Sequence, residues 1–271
     1  MNPTSSDRYA VQKVQHPLKA RLLRVQQVQP LSAHMVRITL AGDDLTGFLS
    51  ASFDDHVKLF LPEGDAPPVI PTIGPKGPQF PEGVVRPTTR DYTPRRYNAE
   101  TKALDIDFVL HDHGPAGAWA AQARPGQYLG IAGPRGSFLV PHDFDWHLLI
   151  GDETALPAIA RRLEELPRGK RVIAVIETRG PRAKIELPTQ TDATVQWVNA
   201  DSQGAQSALE RVVRRLQLPD GEGFIWAAGE SSAMRNIRQH FVAERGIDKS
   251  RIRASAYWRR GKEGAHEVLD D

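Results

Sequence analysis

Two spacings of apolar residues divide the chain. Before residue 142 apolar positions recur every second residue in short runs. In MVRITL, Val36, Ile38 and Leu40 alternate with Arg37 and Thr39. In HVKLFL, Val57, Leu59 and Leu61 alternate with Lys58 and Phe60, and in ALDIDFVLH, Leu104, Ile106, Phe108 and Leu110 share a face. GQYLGIAG follows after a turn. Period-2 runs bounded by Gly and Pro predict strands, and several in succession predict a small antiparallel barrel or sandwich. The Pro- and Gly-rich stretch 62–83 predicts a long loop between strands, because proline removes a ladder donor.

Beyond residue 142 solid apolar runs alternate with helical spacing. WHLLI, RVIAVIE, TVQWV, GFIWAAG and IRASAYW read as strands. LPAIARRLEEL places Leu156, Ile159, Leu163 and Leu166 on one helical face, and ALERVVRRL does so with Leu209, Val212, Val213 and Leu216. SSAMRNIRQHFVAERG reads as a third helix, capped by Ser231 or Ser232 and ended by Gly246. Such alternation predicts a parallel sheet with helices on both faces. The expected fold class is therefore an N-terminal antiparallel β-barrel followed by a C-terminal parallel-sheet α/β domain. Residues 1–19 read as a flexible polar leader, 20–141 as the barrel and 146–271 as the α/β domain, with PHDFD at 141–145 as linker.

Composition narrows the chemistry. The chain has 271 residues, 40% of them hydrophobic and 25% charged, the profile of a soluble globular protein. No apolar run approaches membrane-spanning length, and the N-terminus lacks the apolar core of a signal peptide, so a cytoplasmic location without membrane contact is expected. Cysteine is absent, which removes disulfides, thiolate metal sites, cysteine-ligated clusters and cysteine nucleophiles. A net charge of +2 gives no field for nucleic acid, but the basic segment RIRASAYWRRGK predicts a local site for an anionic ligand.

In open parallel sheets ligands sit at the carboxyl ends of the strands, here GDET (151–154), ETRG (177–180) and AAGES (227–231). The glycine-rich dinucleotide fingerprint is absent. A strand, a Gly turn and a helix N-terminus can still present N–H groups to a ligand, with Asp152 and Glu153 expected to cap the helix. The segment TTRDYTPRRYN stands out in the first half. Arg90 and Tyr92 share a face of an extended segment and Thr93 takes the other. On spacing alone, an edge strand with solvated charges and one packed tyrosine is the simpler reading. HDH at 111–113 carries two histidines on one face but no third ligand nearby, so a solvated or cofactor-adjacent pair is favoured over a metal site.

RDYTPR resembles the Arg-x-Tyr-Thr/Ser signature of ferredoxin-reductase-like flavoproteins, which pair an antiparallel FAD-binding barrel with an α/β nicotinamide-nucleotide domain. DDHVKLFLP (54–62), RDYTPR (90–95), DIDFVLHDHGPAGAWA (105–120), AGPRGSF (132–138), GDETALPAI (151–159), AAGES (227–231) and AYWRRGKEGAHE (256–267) are similar, in order, to motifs of the siderophore-interacting protein family. Members of that family are flavin-dependent ferric-siderophore reductases. The resemblance spans nearly all of the chain beyond residue 20.

It implies FAD as cofactor, NADPH or NADH as electron donor (a ferredoxin in some relatives), a ferric siderophore as substrate, and a monomer. By resemblance Arg90 binds the FAD phosphate, Tyr92 packs on the isoalloxazine and Thr93 lies near its N5 edge. Asp107, Phe108, Val109, Leu110 and His111 line the flavin, Ala116, Gly117, Ala118 and Trp119 surround the pyrophosphate, and Thr154 is a further FAD contact. Many relatives carry serine at the position of Gly117, so phosphate binding here leans on backbone N–H groups. Arg179, Gly229 and Glu230 are the nicotinamide-nucleotide residues. Arg179 and Arg182 stand where a 2′-phosphate would be read, which favours NADPH. Lys58, Arg135 and Arg259 form the implied basic cluster for an anionic chelate, and no resident metal is expected. Other acceptors, a protein or a quinone, and a non-catalytic siderophore-binding role are the rival readings.

Overall fold

A computed structural model describes residues 7–110, 114–201, 207–261 and 267–269. The chain forms two compact units. Gln12–Leu139 is the first, and Val140–Asp271 with the residues ahead of Gln12 is the second.

The first unit contains strands β1 (Gln12–Gln15), β2 (Ala20–Ser32), β3 (Met35–Ala41), β4 (Val57–Phe60), β5 (Thr72–Gly74), β6 (Gly77–Gln79), β7 (Thr89–Tyr92), β8 (Arg96–Asn98), β9 (Ala103–Val109), β10 (Tyr128–Ala132) and β11 (Gly136–Leu139). One helix, α1 (Pro115–Gln122), lies between β9 and β10. Seven strands make one antiparallel sheet in the order β7-β4-β10-β2-β3-β9-β8. Its inward face carries the alternating residues read from the sequence: Val36, Ile38, Leu40, Val57, Leu59, Leu104, Ile106 and Phe108 are all buried in one cluster. Trp119 and Ala120 of α1 join that cluster. The long strand β2 shifts register between Val25 and Gln27 and between Pro30 and Ser32, which bends it around the core. Pro30 is tolerated because β10 pairs only with the Ala20–Arg24 end, leaving that side of Pro30 outside its ladder.

Two expectations need correction. The supposed leader is in part a strand, because β1 pairs with β11 from Gln12↔Leu139 to Gln15↔Gly136. The loop 62–83 contains the hairpin β5–β6, separate from the main sheet.

The second unit contains β12 (Trp146–Asp152), α2 (Leu156–Glu165), β13 (Arg171–Thr178), β14 (Asp192–Asn199), α3 (Ala208–Arg214), β15 (Gly223–Glu230), α4 (Ser231–Gln239), β16 (Ile252–Trp258) and β17 (Glu267–Val268). The sheet order is β14-β13-β12-β15-β16-β17. The first five strands are parallel and β17 is antiparallel. From β12 the chain moves outward to β13 and β14, then returns to the other side of β12 as β15. The crevice between β12 and β15 is thus the topological switch point.

Helices cover both faces. Trp146, Leu148 and Ile150 of β12 join the cluster that holds Leu209 and Val213 of α3 and Met234 and Ile237 of α4. Gly151, of opposite parity, faces α2: a Cβ there would lie 2.4 Å from the Ala155 Cβ and 3.3 Å from Ile159. Only glycine permits that approach.

Local signals in this unit were read less well. The α4 N-cap is Glu230, whose carboxylate accepts from Ser232 N–H (2.7 Å) and Ala233 N–H (3.1 Å), not Ser231 or Ser232. The helix then widens into a π-helical turn over His240–Glu244. The 141–145 segment is packed rather than free. Phe144 is fully buried, stacks 5.0 Å from the Tyr9 ring, and the backbone oxygens of Val140 and Pro141 accept from the buried Arg162.

Candidate functional site

The barrel sheet has two edges, β7 and β8, and these are consecutive in the chain. Thr93, Pro94 and Arg95 cross from one edge to the other, and all three are buried. The segment TTRDYTPRRYN is therefore the seam at which the barrel closes. Arg95 N–H extends the β8–β9 ladder by donating to Asp105 O at 2.9 Å. The Arg95 guanidinium, 3% exposed, lies 3.8 Å from the Asp107 carboxylate. Asp107 also accepts both arms of Arg37, at 2.6 and 2.8 Å, across the β3–β9 pair. Asp107 is therefore an internal counter-ion. Its carboxylate is fully enclosed and bonded within the barrel, which leaves its backbone as the part that could line a flavin.

The other residues expected at the flavin partly converge. Arg90 and Tyr92 stand side by side on edge strand β7, with Arg90 donating to the Thr89 carbonyl at 2.8 Å. The Tyr92 ring lies 4.5 Å from Phe108, and Phe108 lies 5.6 Å from Trp119. This row ties β7, β9 and α1 together. Burial raises the Tyr92 phenol above its ordinary pKa, with Arg90 opposing. The hydroxyl is therefore neutral at every physiological pH. Phe108 is wholly buried and Val109 nearly so, so their side chains belong to the core. Leu110 N–H donates to His34 O at 2.7 Å. His111, with Asp112 and His113, lies outside the described residues, as do residues 262–266 of the AYWRRGKEGAHE block.

At the start of α1, Gly114 has φ +120°, Pro115 supplies no N–H, and no side chain caps the helix. The Ala116 and Gly117 N–H groups are the donors available there. Ala118 N–H is already spent on Gly114 O at 3.1 Å, so Ala118 offers no donor. The indole N–H of Trp119 is buried and has no hydrogen-bond partner among the described residues. Uncapped N–H groups, small side chains, an orphaned donor, an arginine and a half-buried tyrosine fit a planar cofactor carrying a pyrophosphate.

Lys58 and Arg135 are both exposed on this unit. Lys58 pairs with Ala132 in the β4–β10 ladder, three residues before Arg135. Its ammonium bonds Asp91 at 2.7 Å, so its charge is partly offset. Arg135 accepts from His16 N–H through its own carbonyl at 2.9 Å. Beneath it, the Asp55 carboxylate accepts from Ser137 Oγ at 2.8 Å, and His16 Nε2 lies 2.7 Å from Ser137 Oγ. Because Ser137 gives its proton to Asp55, its oxygen accepts from His16, which fixes that imidazole as the Nε2–H tautomer. Nothing in the residue spacing flagged this chain, since its members come from three separated segments.

In the second unit the strand ends meet around Asp152. Its Oδ1 accepts from Thr154 N–H (2.9 Å) and Thr154 Oγ1 (2.5 Å). Its Oδ2 accepts from Glu230 N–H (3.1 Å) and the Trp258 indole N–H (2.7 Å). Burial pushes the Asp152 carboxyl upward, and the Thr154 and Trp258 bonds oppose that shift. Neither Asp152 nor Glu153 caps α2, which has no side-chain cap, contrary to expectation. The Thr154 hydroxyl proton is committed to Asp152. Gly229 has φ +153°, and a Cβ there would lie 2.6 Å from Asp152 Oδ2. Glu230 is committed to the α4 N-terminus, and its carboxylate is held below its ordinary range by the bonds from Ser232, Ala233 and Arg260, which outweigh burial. Arg179 is gripped by Glu153, which accepts its backbone N–H (2.7 Å) and both guanidinium arms (3.0 and 2.8 Å). Arg259 is exposed just past β16.

Comparison with known proteins decides the family. Residues 24–138 match the model of the siderophore-interacting FAD-binding domain, and residues 144–261 match that of the siderophore-interacting protein. The chain belongs to the siderophore-interacting protein family. It is 41% identical over 250 residues to the NADPH-dependent ferric-chelate reductase of Escherichia coli, covering 91% of this chain and 96% of that one. It is 32% identical to the ferric vibriobactin reductase ViuB of Vibrio cholerae, covering 93% and 96%. Among solved structures, a siderophore utilization protein from T. fusca superposes with a TM-score of 0.86 at 38% identity, covering 94% of this chain and 98% of that one. The two units accordingly have the ferredoxin-reductase-like architecture of an FAD-binding barrel and a nicotinamide-nucleotide domain.

Within the family frame, sequence reading missed Trp258 and the bridging role of Asp152. A signal for both was present. AYW ends the last parallel strand, and an acid followed two residues later by threonine is a turn signature.

Proposed function

We propose that this protein reduces ferric siderophores, taking electrons from NADPH or NADH through FAD held on the barrel, and that it works in the cytoplasm. The observation that carries the reading is the match of both units, in order and nearly end to end, to a family whose relatives are named ferric-chelate and ferric-siderophore reductases. Among the described residues no helix is long and apolar enough to cross a membrane.

Bound FAD would supply the chemistry that no side chain here can, accepting a two-electron hydride and passing electrons singly to iron. The chain's own residues do the placing. Arg90 supplies a fixed positive charge on β7 for a phosphate. Tyr92, neutral and backed by Phe108, offers a flat face for a ring. The Ala116 and Gly117 N–H groups and the Trp119 indole N–H are donors for a pyrophosphate or ribose oxygen. Thr93, buried at the seam, holds its backbone rigid beside Tyr92.

We assign Lys58 and Arg135, both exposed on the first unit, to the anionic chelate. A ferric tris-catecholate carries three negative charges, and each cation–charge contact at about 4 Å contributes roughly 4 kcal/mol at an effective dielectric near 20, less in full solvent. The Lys58–Asp91 pair is half exposed and contributes at most about 1 kcal/mol, so a trianion can compete for the lysine. No general acid or base is needed for electron transfer to iron. Iron(II) binds hard oxygen donors more weakly than iron(III) and leaves the chelate.

The test mixes purified protein, NADPH and a ferric catecholate with a ferrous trap. Flavin absorbance in the protein and a ferrous signal above a flavin-free control are expected. Flavin-loaded protein that oxidises NADPH without trapped iron(II) would move the acceptor elsewhere.

A further inference from the structure

Trp258 is the large apolar side chain left exposed (37%) at the ligand edge of the α/β sheet, yet it is not loose. Its indole N–H donates to Asp152 at 2.7 Å. The same carboxylate accepts from Thr154 and from Glu230 N–H, so one half-buried acid ties together the ends of β12, β15 and β16. A register shift sharpens the aim. Gly229 pairs with Ala256 but Glu230 pairs with Trp258, not with Tyr257. That bulge re-directs the end of β16. Tyr257 packs back on Trp226 with ring centroids 6.3 Å apart, while Trp258 remains at the crevice. Gly229, where a side chain would strike Asp152, keeps the floor of the crevice open.

We propose that Trp258 is the platform on which the nicotinamide ring of the electron donor stacks, and that Asp152 is the positioning residue that holds it. This rests on the nucleotide-dependent reduction proposed above. The strand order selects which end of the nucleotide meets the indole. In a doubly wound sheet the adenosine half is read at the strand beyond the first crossover, here β13 with Arg179. The other half extends across the switch point, towards β15 and β16. A planar ring on a fastened indole loses little freedom on binding and gains stacking that adenosine contacts cannot replace.

The experiment compares two non-reacting probes on the flavin-loaded enzyme by calorimetric titration. One is tetrahydro-NADP, whose ring cannot give up hydride, and the other is 2′-phospho-ADP-ribose, which lacks the ring. Trp258→Ala should weaken the first about 10-fold and leave the second unchanged. Trp258→Phe, which keeps an aromatic face but loses the N–H held by Asp152, should weaken the first by clearly less than alanine does and leave the second unchanged. Asp152→Asn turns an acceptor into a donor facing N–H groups and should reproduce the selective loss. Equal weakening of both probes by Trp258→Ala, no weakening, or a Trp258→Phe loss as large as that of alanine would overturn the platform. A wild-type affinity for Asp152→Asn would overturn the positioning role. Failure of wild type to bind either probe would instead sink the nucleotide-dependent reading on which the proposal stands.

Discussion

Replacing Arg37 by methionine tests whether the barrel's seam is held by a buried ion pair. The Asp107 side chain has no exposure and that of Arg37 only 16%, with two charge-assisted bonds of 2.6 and 2.8 Å between them. Methionine fills similar volume but leaves Asp107 with Arg95, 3.8 Å away. A buried carboxylate that loses its bidentate partner costs about 3–5 kcal/mol, against under about 1 kcal/mol for an exposed pair. The lower figure of about 3 kcal/mol applies because Arg95 remains. In a unit of this size that lowers the temperature of flavin release by about 10 °C. The assay is flavin fluorescence during slow heating at saturating FAD. Asp107→Asn alone should destabilise by about 2 kcal/mol, by removing the negative charge that accepts both arms of Arg37. In the Arg37→Met background the same change removes the stranded charge, so the double variant should be no worse than Arg37→Met. Additive losses, or an Arg37→Met loss below about 1 kcal/mol, would refute the reasoning.

Other consequences can be read separately. Tyr92→Ala should shift the flavin spectrum and weaken FAD retention about 10-fold, while Tyr92→Phe stays near wild type because the neutral hydroxyl is not required; equal retention in both would refute the ring-packing role. Gly229→Ala places a Cβ 2.6 Å from Asp152 at φ +153° and should raise the KM for NADPH at least several-fold with FAD content unchanged, as steady-state kinetics would show. Burial, with Arg162, Lys170 and His142 adding, holds the fully enclosed His147 imidazole down at about 3. The unfolded chain therefore takes up that proton first, so this stability is complete above about pH 6.5 and drains as pH falls towards 3, by about 2 kcal/mol at pH 5. Urea unfolding of His147→Leu should show a flatter loss between pH 7 and 5, and an unchanged slope would contradict this. The double variant Lys58→Ala/Arg135→Ala should weaken a trianionic chelate at least 10-fold and spare flavin content, measured by chelate titration at two salt concentrations; an unchanged affinity would remove both residues from the chelate.

The period-2 and helical spacings carried most of the fold, because each strand or helix has to bury one face and the chain alternates accordingly. Spacing says which residues share a face but not what covers that face. Asp107 was correctly alternate to Ile106 and Phe108, yet Arg37 and Arg95 closed over it from β3 and the seam. Arg95 had no readable role until β7 and β8 proved to be opposite edges of one sheet. Capping was misjudged where an acid outcompeted the expected serine: Glu230 reaches two N–H groups of α4 that Ser231, already inside the helix, cannot. Trp258 and Asp152 lie 106 residues apart, and only the parallel order of β12, β15 and β16 brings them together.

The most direct measurement is an anaerobic stoichiometry. Flavin-loaded protein is given limiting NADPH, then excess ferric catecholate with a ferrous trap, while flavin absorbance is followed. The account predicts bleaching of the flavin by NADPH, its return on adding the chelate, and two trapped iron(II) ions for each NADPH consumed. Bleaching that persists after the chelate is added, with no trapped iron(II), would contradict it.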